Sequence, residues 1–407
     1  MPDETIDTLV IGGGQAGLTM SHRLKQRGIT HLVLERRRIA ERWRSERWDG
    51  LMFQFPNWSV RLPEFPFSHS EPDGFSPTSD IIEFIEGYAA FVAPPIRCGV
   101  EVRKLRRDQG AGFVAETGDG RIAARNVVVA TGPYQRPLRP ELLRDHENLF
   151  QVHASGYKNP AQLPGGAVLV IGAGASGAQI AEELLRAGRR VFLSVGRHNR
   201  LPRRYRGRDL FWWLAEMGID QTPVEQRGPS RLLPVISGAY GGNTIDFRRF
   251  AAEGVTLLGR ATAARDGVIE IAPDLVTSVS NGDAFYATFL GMVDDFIGTR
   301  GLACPDDAAA RARLPDPPSL TAALRTLDLR AEGIGAVIWA TGYGLDLGWI
   351  DIPVLDARGE PRHRHGISEV PGLYFLGLQW LSRMKSSFLS GVGDDAAVLA
   401  DHIVTRL

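Results

Sequence analysis

The residues with a recognisable chemistry begin with two glycine-rich stretches of the same GxGxxG spacing, Gly12-Gly13-Gly14-Gln15-Ala16-Gly17 and Gly172-Ala173-Gly174-Ala175-Ser176-Gly177. In such a turn, the first glycine makes a tight bend, the second lets the backbone approach a pyrophosphate, and the third lets a helix pack on a strand. The phosphates then face the positive end of the helix. The repeated spacing predicts two dinucleotide sites in one chain.

Strands and helices must flank these turns if the turns are to hold a dinucleotide. Apolar, β-rich runs at residues 8–11 and 167–171 precede them, and helical stretches at 18–27 and 178–187 follow. A lone GxGxxG is weak evidence in a chain with 46 glycines. The order of strand, turn and helix, found twice, is typical of a nucleotide-binding βαβ fold.

The residue after the second strand of each unit distinguishes the two sites. In the first unit this residue is Glu35, 23 positions after Gly12, where a carboxylate accepts the hydrogen bonds of a ribose diol. The second unit has Arg197 and Arg200 and no such acid. A guanidinium binds a ribose 2′-phosphate that a carboxylate repels, so the second site favours NADP(H) over NAD(H). The alternative is that both arginines, like the arginine cluster at 203–208, form an exposed cationic face.

Two further apolar strands end in the same three residues, Ala130-Thr131-Gly132 and Ala340-Thr341-Gly342, one after each glycine-rich unit. Such small residues indicate that something flat or bulky passes over the end of the strand. An ordinary transition from strand to loop explains either ending alone, but not two such endings in equivalent places.

Together these features resemble the flavoproteins with two dinucleotide-binding domains. The likeness is to the class B flavin-containing monooxygenases in particular, including their small bacterial and plant indole-pyruvate-oxidising members. Residues 41–63 are similar to the family segment that passes beside the flavin. Residues 371–377 and 387–394 are similar to the last strand and the FAD-facing helix of the family.

The resemblance implies an α/β fold with two Rossmann-like domains, with FAD on the first glycine motif and NADP(H) on the second. An NADP(H) domain at 156–317 would be inserted into an FAD domain formed by 1–155 and 318–407. The other expected cofactor contacts are Glu35, Arg36, Arg42, Trp43, Trp48, Val102, Thr131, Gly132, Arg197, Arg200, Thr341, Gly377 and Ser387.

Gln54 and Asn57, on the segment beside the flavin, are the expected hydrogen-bond donors near flavin N5 and the reacting oxygen. An exposed strand glutamine and a turn-forming asparagine are equally good explanations. The family signature FxGxxxHxxx(F/Y) is half present, because His153 and Tyr157 keep its second half while positions 147 and 149 are Glu and Leu. We expect His153 to pack the domain junction. Lys385 would either face the flavin or lie in solvent.

Flavin and nicotinamide in one chain imply hydride transfer from NADPH to FAD, and the next electron acceptor then defines the enzyme. A disulfide acceptor needs paired cysteines, which Cys98 and Cys304, 206 positions apart, do not provide. The resemblance implies dioxygen as the acceptor, a C4a-(hydro)peroxyflavin, and oxygenation of nitrogen, sulfur or a carbonyl in a small substrate. The open alternatives are an NAD(P)H oxidase, a flavin-dependent reductase and a non-catalytic redox sensor.

Composition excludes other classes. The 407 residues carry 47 basic and 47 acidic side chains, so the excess of cations that coats nucleic acid is missing. No spacing suggests a metal site, a spanning helix or a signal peptide, so we expect a cytoplasmic protein without metal or membrane partner. A homodimer is one assembly that we expect.

The helical stretch 283–300 has one apolar face, which carries Phe285, Phe289, Met292 and Phe296. This face predicts core packing or a subunit contact rather than a substrate role.

Overall fold

Two β-sheets organise the chain, one mixed and one parallel, and each has a glycine-rich turn at the end of one strand. The computed structural model describes residues 3–108, 110, 112–144, 146, 148–228 and 232–406. Helices pack on both sheets, and one face of the second sheet also packs against a small antiparallel sheet. The predicted α/β class with two nucleotide-binding folds is confirmed.

The first sheet contains five parallel strands around the strand that leads into the first glycine motif. Their spatial order is Ile96–Cys98, His31–Glu35, Glu4–Ile11, Arg121–Val129 and Leu373–Phe375. An antiparallel extension and short edge strands continue it through Phe113–Thr117, Val102–Arg107, Ile350–Asp351, His363–Arg364 and Ile367–Ser368. Because the central strand is buried along its apolar half, an uninterrupted apolar run was sufficient to predict it.

The second sheet repeats this arrangement around the second glycine motif. Its parallel strands lie in the order Phe150–His153, Ile334–Trp339, Ala167–Ile171, Val191–Ser194 and Thr256–Leu258. The first two of these strands lie outside the predicted 156–317 domain. The second sheet therefore takes one strand from each connecting segment, and the domain boundaries at 155/156 and 317/318 stay predictions.

The two connections between the folds pair with each other. Arg136–Pro137 and Tyr343–Gly344 form a two-stranded antiparallel ribbon directly after the two Ala-Thr-Gly endings. The other short strands are Arg61–Leu62, Phe65–Pro66, Asn199–Arg200, Arg204–Tyr205, Arg208–Asp209, Pro234–Val235, Ala261–Arg265, Val268–Ile271 and Thr326–Asp328. The chain therefore crosses between the folds twice at one place.

The helices differ in what they cover. Gln15–Gln26 and Ala175–Arg186 follow the glycine motifs and pack on their own sheets. Leu210–Glu216 and the 26-residue Leu275–Arg300 enclose a separate apolar core with Trp213 at its centre. The remaining helices are Glu41–Ser45, Thr78–Val92, Phe247–Ala252, Pro318–Thr321 and Val392–Val404. Within the described residues, no helix has both the length and the apolar character needed to cross a bilayer.

Candidate functional site

The three glycines of the first motif have different physical roles. Gly12 has a φ of +116°, and a Cβ there would lie 2.5 Å from the Ala130 carbonyl oxygen. A Cβ on Gly17 would lie 1.8 Å from the Gly12 oxygen. Gly14 instead has ordinary extended backbone, and a Cβ there would meet no atom within 4 Å. The fold therefore needs the two outer glycines. The middle glycine leaves an open space at the start of the helix, and we call this space the first cradle.

The second motif repeats this pattern. A Cβ on Gly172 would lie 2.4 Å from the Ala340 oxygen, and one on Gly177 would lie 1.9 Å from the Gly172 oxygen. Gly174 is extended, and a Cβ there would meet nothing within 4 Å. Two cradles of the same shape, each at a helix N-terminus, fit two pyrophosphates.

The two Ala-Thr-Gly endings are explained by the same contacts. Ala130 donates its N–H to Ile11 at 2.8 Å and turns its carbonyl against Gly12, and Ala340 does the same with Ile171 and Gly172. The end of each strand therefore lies against a glycine turn. Gly132 and Gly342 have φ values of +76° and +87°, which favour glycine at the third position of each ending.

Glu35 lies beside the first cradle, as predicted from its spacing. Its two carboxylate oxygens accept the backbone N–H groups of Gly13 at 2.8 Å and Arg37 at 2.9 Å. A carboxylate has about four acceptor positions. The Glu35 carboxylate can therefore also accept hydrogen bonds from a ribose diol while it holds the glycine turn in place.

A cleft of about 950 Å³ runs between the two folds and opens onto both cradles. This is at the upper end of the range for small-molecule sites. Most predicted site residues line it: Gly12, Gly14, Gln15, Ala16, Glu35, Arg36, Arg42, Trp43, Trp48, Gln54, Val102, Thr131, Gly132, Gly174, Ser176, Arg197, Gly377 and Ser387. The predicted residues outside its lining are Gly17, Asn57, Gly172, Gly177, Arg200 and Thr341.

The two predicted hydrogen-bond donors lie in different environments. The Gln54 side chain lines the cleft and has no hydrogen-bond partner among the described residues. The Asn57 side chain is buried and donates to the Glu71 carbonyl at 2.9 Å. The Asn57 amide therefore binds a distant loop carbonyl, its side-chain oxygen has no partner among the described residues, and Gln54 is the predicted donor that lines the cleft.

The two arginines predicted near the ribose phosphate also lie in different environments. Arg197 is exposed, lines the cleft and pairs with no described acid. Arg200 is bound by Asp246 and, at 2.9 Å, by Asp283. Because two carboxylates already neutralise it, Arg200 is a poor phosphate ligand, and only Arg197 is left for that role.

The neighbouring arginine cluster is divided, because Arg204 and Arg208 are exposed while Arg203 is buried. Arg203 is fully buried and forms a two-pronged ion pair with Asp209, at 2.6 to 2.8 Å. It also donates to the Gln54 carbonyl at 2.7 Å. Burial lowers the pKa of Arg203, and Asp209 opposes that shift. Arg203 therefore ties the inserted fold to the segment that carries Gln54.

The C-terminal segment closes the first cradle. Gln15 donates its amide to the Ser387 carbonyl at 2.9 Å, and a Cβ on Gly377 would lie 2.7 Å from that of Ala16. Lys385 is buried and paired with Asp394 at 2.9 Å, so the solvated-loop interpretation of this lysine is wrong. Residues 372 positions apart in sequence thus meet at one site.

The domain junction forms a wall of the cleft that sequence reasoning largely missed. His153 bonds the Gly342 carbonyl at 3.1 Å and packs edge-on against Tyr343, which packs edge-on against Tyr134. Burial lowers the pKa of His153 and raises that of Tyr134, whose hydroxyl accepts the Gln379 amide at 2.9 Å. His153 thus lies at the junction, as expected. The two tyrosines directly follow the Ala-Thr-Gly endings, which was the signal for them.

Arg42 and Gln179 add polar groups to the cleft. Arg42 is bound by Glu46 at 2.7 Å and by the Tyr134 carbonyl, and burial lowers its pKa. Gln179 is buried and donates to the Ile236 carbonyl at 2.8 Å, which leaves its side-chain oxygen without a partner among the described residues. Sequence reasoning missed Gln179, although it lies one turn after the second glycine motif.

Three of the four residues on the predicted apolar helix face contribute to the cleft. Phe285, Phe289 and Met292 line it, while Phe296 packs on the separate core around Trp213. Phe289 also belongs to that core, as expected, and the subunit contact stays a prediction for Phe285 and Met292, which are partly exposed. Helical spacing showed a shared face but not what that face contacts.

Neither cysteine is placed for redox chemistry in the cleft. Cys98 is exposed, Cys304 packs at the edge of the separate core, and neither lines the cleft. Across the described residues, no three His, Cys, Asp or Glu side chains are grouped as a metal site. The chain's own side chains thus supply polar contacts and apolar walls rather than a thiol pair.

Comparisons with known proteins agree with this arrangement. The family described as pyridine nucleotide-disulphide oxidoreductase matches residues 9–208. An uncharacterised CzcO-like oxidoreductase of Geobacillus kaustophilus is 34% identical over 98% of this chain and 99% of its own. An indole-3-pyruvate monooxygenase of Oryza sativa subsp. japonica is 31% identical over 46% of this chain and 47% of its own.

Solved structures share the fold along the whole chain. A flavin-containing monooxygenase from Stenotrophomonas maltophilia superposes with a TM-score of 0.67 at 18% identity, covering 99% of both chains. A bacillithiol disulfide reductase from Staphylococcus aureus gives 0.63 at 15% identity, again covering 99% of both. At such identities the likeness establishes the fold alone. Through its full-length relative the chain belongs to the CzcO-like oxidoreductases, and its fold is similar to that of the solved flavin-containing monooxygenase.

Proposed function

We propose that this enzyme is an FAD- and NADPH-dependent monooxygenase that oxygenates a small organic substrate. The observation that carries the proposal is the pair of open cradles at Gly14 and Gly174, which face one cleft. Two dinucleotides bound there would bring a flavin and a nicotinamide together. The partial match to a plant indole-3-pyruvate monooxygenase supports dioxygen as the final acceptor.

FAD bound at the first cradle would take a hydride from NADPH and deliver its electrons to dioxygen. The chain's own residues would hold and shield it. Glu35 would accept the ribose hydroxyls of FAD, and the helix that begins at Gln15 would face its pyrophosphate. Gln54, held through its backbone by Arg203, would donate a hydrogen bond near the reacting atoms.

The second cradle would take NADPH. Ser176 and the first turn of the helix Ala175–Arg186 would face its pyrophosphate, and Arg197 would pair with the 2′-phosphate. Trp43, Trp48 and other apolar walls would exclude water from the space between the two rings. A dry site favours oxygen transfer to a substrate over release of peroxide.

The reaction has a definite balance that an experiment can follow. One oxygen atom of O2 enters the substrate, the other leaves as water, and NADPH supplies two electrons. Purified flavoprotein would be supplied with NADPH, ¹⁸O2 and a panel of thioethers, amines, indoles, ketones and 2-oxo acids. We expect one ¹⁸O atom in a product, matched to the NADPH consumed.

Stoichiometric hydrogen peroxide with every substrate would instead establish an NAD(P)H oxidase. NADPH oxidation that depends on an added dye or quinone and not on oxygen would establish a reductase. We also propose a small molecule and O2 as the partners of the reaction. The homodimer and the cytoplasmic location stay predictions.

A further inference from the structure

One arm of the cleft is built from apolar side chains of three separate elements. We define the apolar arm by Phe211, Leu214, Phe285, Phe289, Met292 and Phe388, all of which line the cleft. These side chains come from the helix Leu210–Glu216, the helix Leu275–Arg300 and the C-terminal segment. The apolar arm is therefore a tertiary feature that no single stretch of sequence encodes.

The apolar arm joins the proposed flavin site without a break. Phe388 directly follows Ser387, whose carbonyl binds Gln15 of the first glycine motif. On the other side, Phe55 stacks on Phe211 with ring centroids 4.2 Å apart and meets Phe388 at 4.8 Å. Any molecule in the arm would lie against the segment that carries Gln54.

At its outer end, the arm exposes large apolar side chains to solvent. Phe285 and Met292 are 42% and 44% exposed, and Leu232 and Leu233, from a different segment, are 39% and 44% exposed. Phe211 and Phe289, further in, are buried. Apolar groups gathered at the rim of a cleft are typical of a binding entrance.

Several charged side chains packed around the arm form ion pairs with one another and do not line it. Arg203 binds Asp209 behind Phe211, and Lys385 binds Asp394 beside Phe388. Beside the helix Leu275–Arg300, Arg200 and Arg248 bind Asp283, while Arg206 and Arg311 bind Asp294. These ion pairs lie behind the apolar side chains, so they place no charge inside the apolar arm.

Arg227 is the one charged side chain that lines the cleft among described residues 201–292 and 380–389. Its guanidinium lies over the ring of Trp380, 5.2 Å from the centroid. The other arginines that line the cleft, Arg36, Arg37, Arg42, Arg47 and Arg197, belong to segments that contribute no side chain to the apolar arm. Removal of a carboxylate from water into an apolar site is unfavourable without such a partner.

From these observations we propose that the substrate is a bulky, uncharged apolar molecule, such as an aryl thioether or ketone, held in the apolar arm. This assignment rests on the proposed monooxygenase function and excludes 2-oxo acids as the preferred class. For a thioether, a sulfur–oxygen bond forms as the oxygen–oxygen bond breaks. The sulfur loses two electrons, NADPH supplies two more, and the second oxygen atom leaves as water.

Binding tests the assignment independently of turnover. Equilibrium dialysis of the FAD-containing enzyme would compare 2-(methylthio)naphthalene with 6-(methylthio)-2-naphthoate, which adds only a carboxylate. We expect the neutral probe to bind at least tenfold more tightly. Equal affinity, tighter binding of the naphthoate, or no binding of the neutral probe up to its solubility limit would overturn the proposal.

Two variants on one helix locate the binding. Met292→Glu puts a charge at the arm, whereas Val276→Glu changes a side chain that is 51% exposed on the same helix and does not line the cleft. We expect Met292→Glu to raise the dissociation constant of the neutral probe at least tenfold and Val276→Glu to leave it within twofold. Equal effects, or a Met292→Glu effect on subunit association without one on binding, would refute the assignment.

Product analysis separates this proposal from the proposed function. If ¹⁸O enters the naphthoate in preference to the neutral thioether, and Arg227→Gln removes that preference, the substrate class is wrong while the monooxygenase stands. If the neutral probe binds as expected but only peroxide forms, the monooxygenase function fails while the apolar arm stands as a ligand site.

Discussion

Substitution of the two middle glycines should remove one dinucleotide at a time without weakening the fold. Gly14 and Gly174 have φ values of −85° and −71°, which alanine adopts readily, and their Cβ positions meet no atom within 4 Å. A Gly→Ala change at such a position stabilises a protein by about 0.4–1 kcal/mol, because the unfolded chain loses freedom. The cofactor-free forms of Gly14→Ala and Gly174→Ala should therefore unfold at or slightly above the wild-type temperature.

The loss in binding follows from the space that the new methyl group takes. A Cβ extends about 1.5 Å from Cα, into the volume proposed for the pyrophosphate. Displacement by that distance would break one or two charged hydrogen bonds to backbone N–H groups, each worth about 1.5–3 kcal/mol. A loss of about 3 kcal/mol in binding free energy raises the dissociation constant roughly 100-fold.

The assay measures flavin content, NADPH affinity and thermal unfolding on the same preparations. Gly14→Ala should emerge from gel filtration with little FAD. Gly174→Ala should keep FAD and bind NADPH about 100-fold more weakly. Unfolding must be compared on flavin-free proteins, because bound FAD raises the melting temperature by mass action.

Gly17→Ala and Gly177→Ala are the matched controls. Their Cβ atoms would lie 1.8 and 1.9 Å from backbone oxygens, so the fold itself must shift and the melting temperature should fall. Normal FAD content in Gly14→Ala, or loss of FAD from Gly174→Ala with NADPH binding intact, would refute the assignment of the two cradles.

Three further predictions follow from single side chains. Arg197→Ala should weaken NADPH at least tenfold and NADH little, while Arg200→Ala should lower stability instead; equal weakening of both nucleotides in titrations of Arg197→Ala would mean that no 2′-phosphate contact exists. Arg203→Met leaves Asp209 buried without its partner and should cost about 3–5 kcal/mol in urea unfolding; a cost below about 1 kcal/mol, the usual value for an exposed pair, would show that the pair is not desolvated. Burial lowers the pKa of His31 below its usual 6.5. The buried neutral imidazole therefore contributes folding stability above pH 6.5. This stability is lost as the pH falls through the lower pKa that His31 has in the folded protein. The melting temperature of the wild type should therefore fall relative to that of His31→Asn between about pH 7.5 and 5.5, and a constant difference would contradict this.

Local patterns in the chain were enough to predict both nucleotide folds. A buried parallel strand reads as an uninterrupted apolar run, and the outer glycines of each motif are dictated by contacts within the same turn and with the adjacent strand. Glu35 was found from its distance along the chain because the strand that carries it is the next neighbour of the first strand. The domain boundaries stay predictions, because the strands Phe150–His153 and Ile334–Trp339, which lie outside the expected 156–317 domain, pair within the second sheet.

Side chains of the same type, close together in sequence, were separated by tertiary structure. Arg197 and Arg200 have equal charge, but only Arg200 has two carboxylates within reach, one of them 83 residues away. Gln54 and Asn57 lie on one segment, yet Asn57 donates to a loop carbonyl and Gln54 faces the cleft. A pairing partner that is distant along the chain leaves no signal in the local pattern.

By itself, the amino-acid sequence determined the two βαβ units and their glycine turns, because these depend on contacts over short stretches of chain. Tertiary structure alone decided which polar groups remain available and that Phe211, Met292 and Phe388 share one uncharged arm. The physical reason is that a cleft is defined by what surrounds it. Its walls come from elements whose mutual positions are set by packing of the whole chain rather than by their own residues.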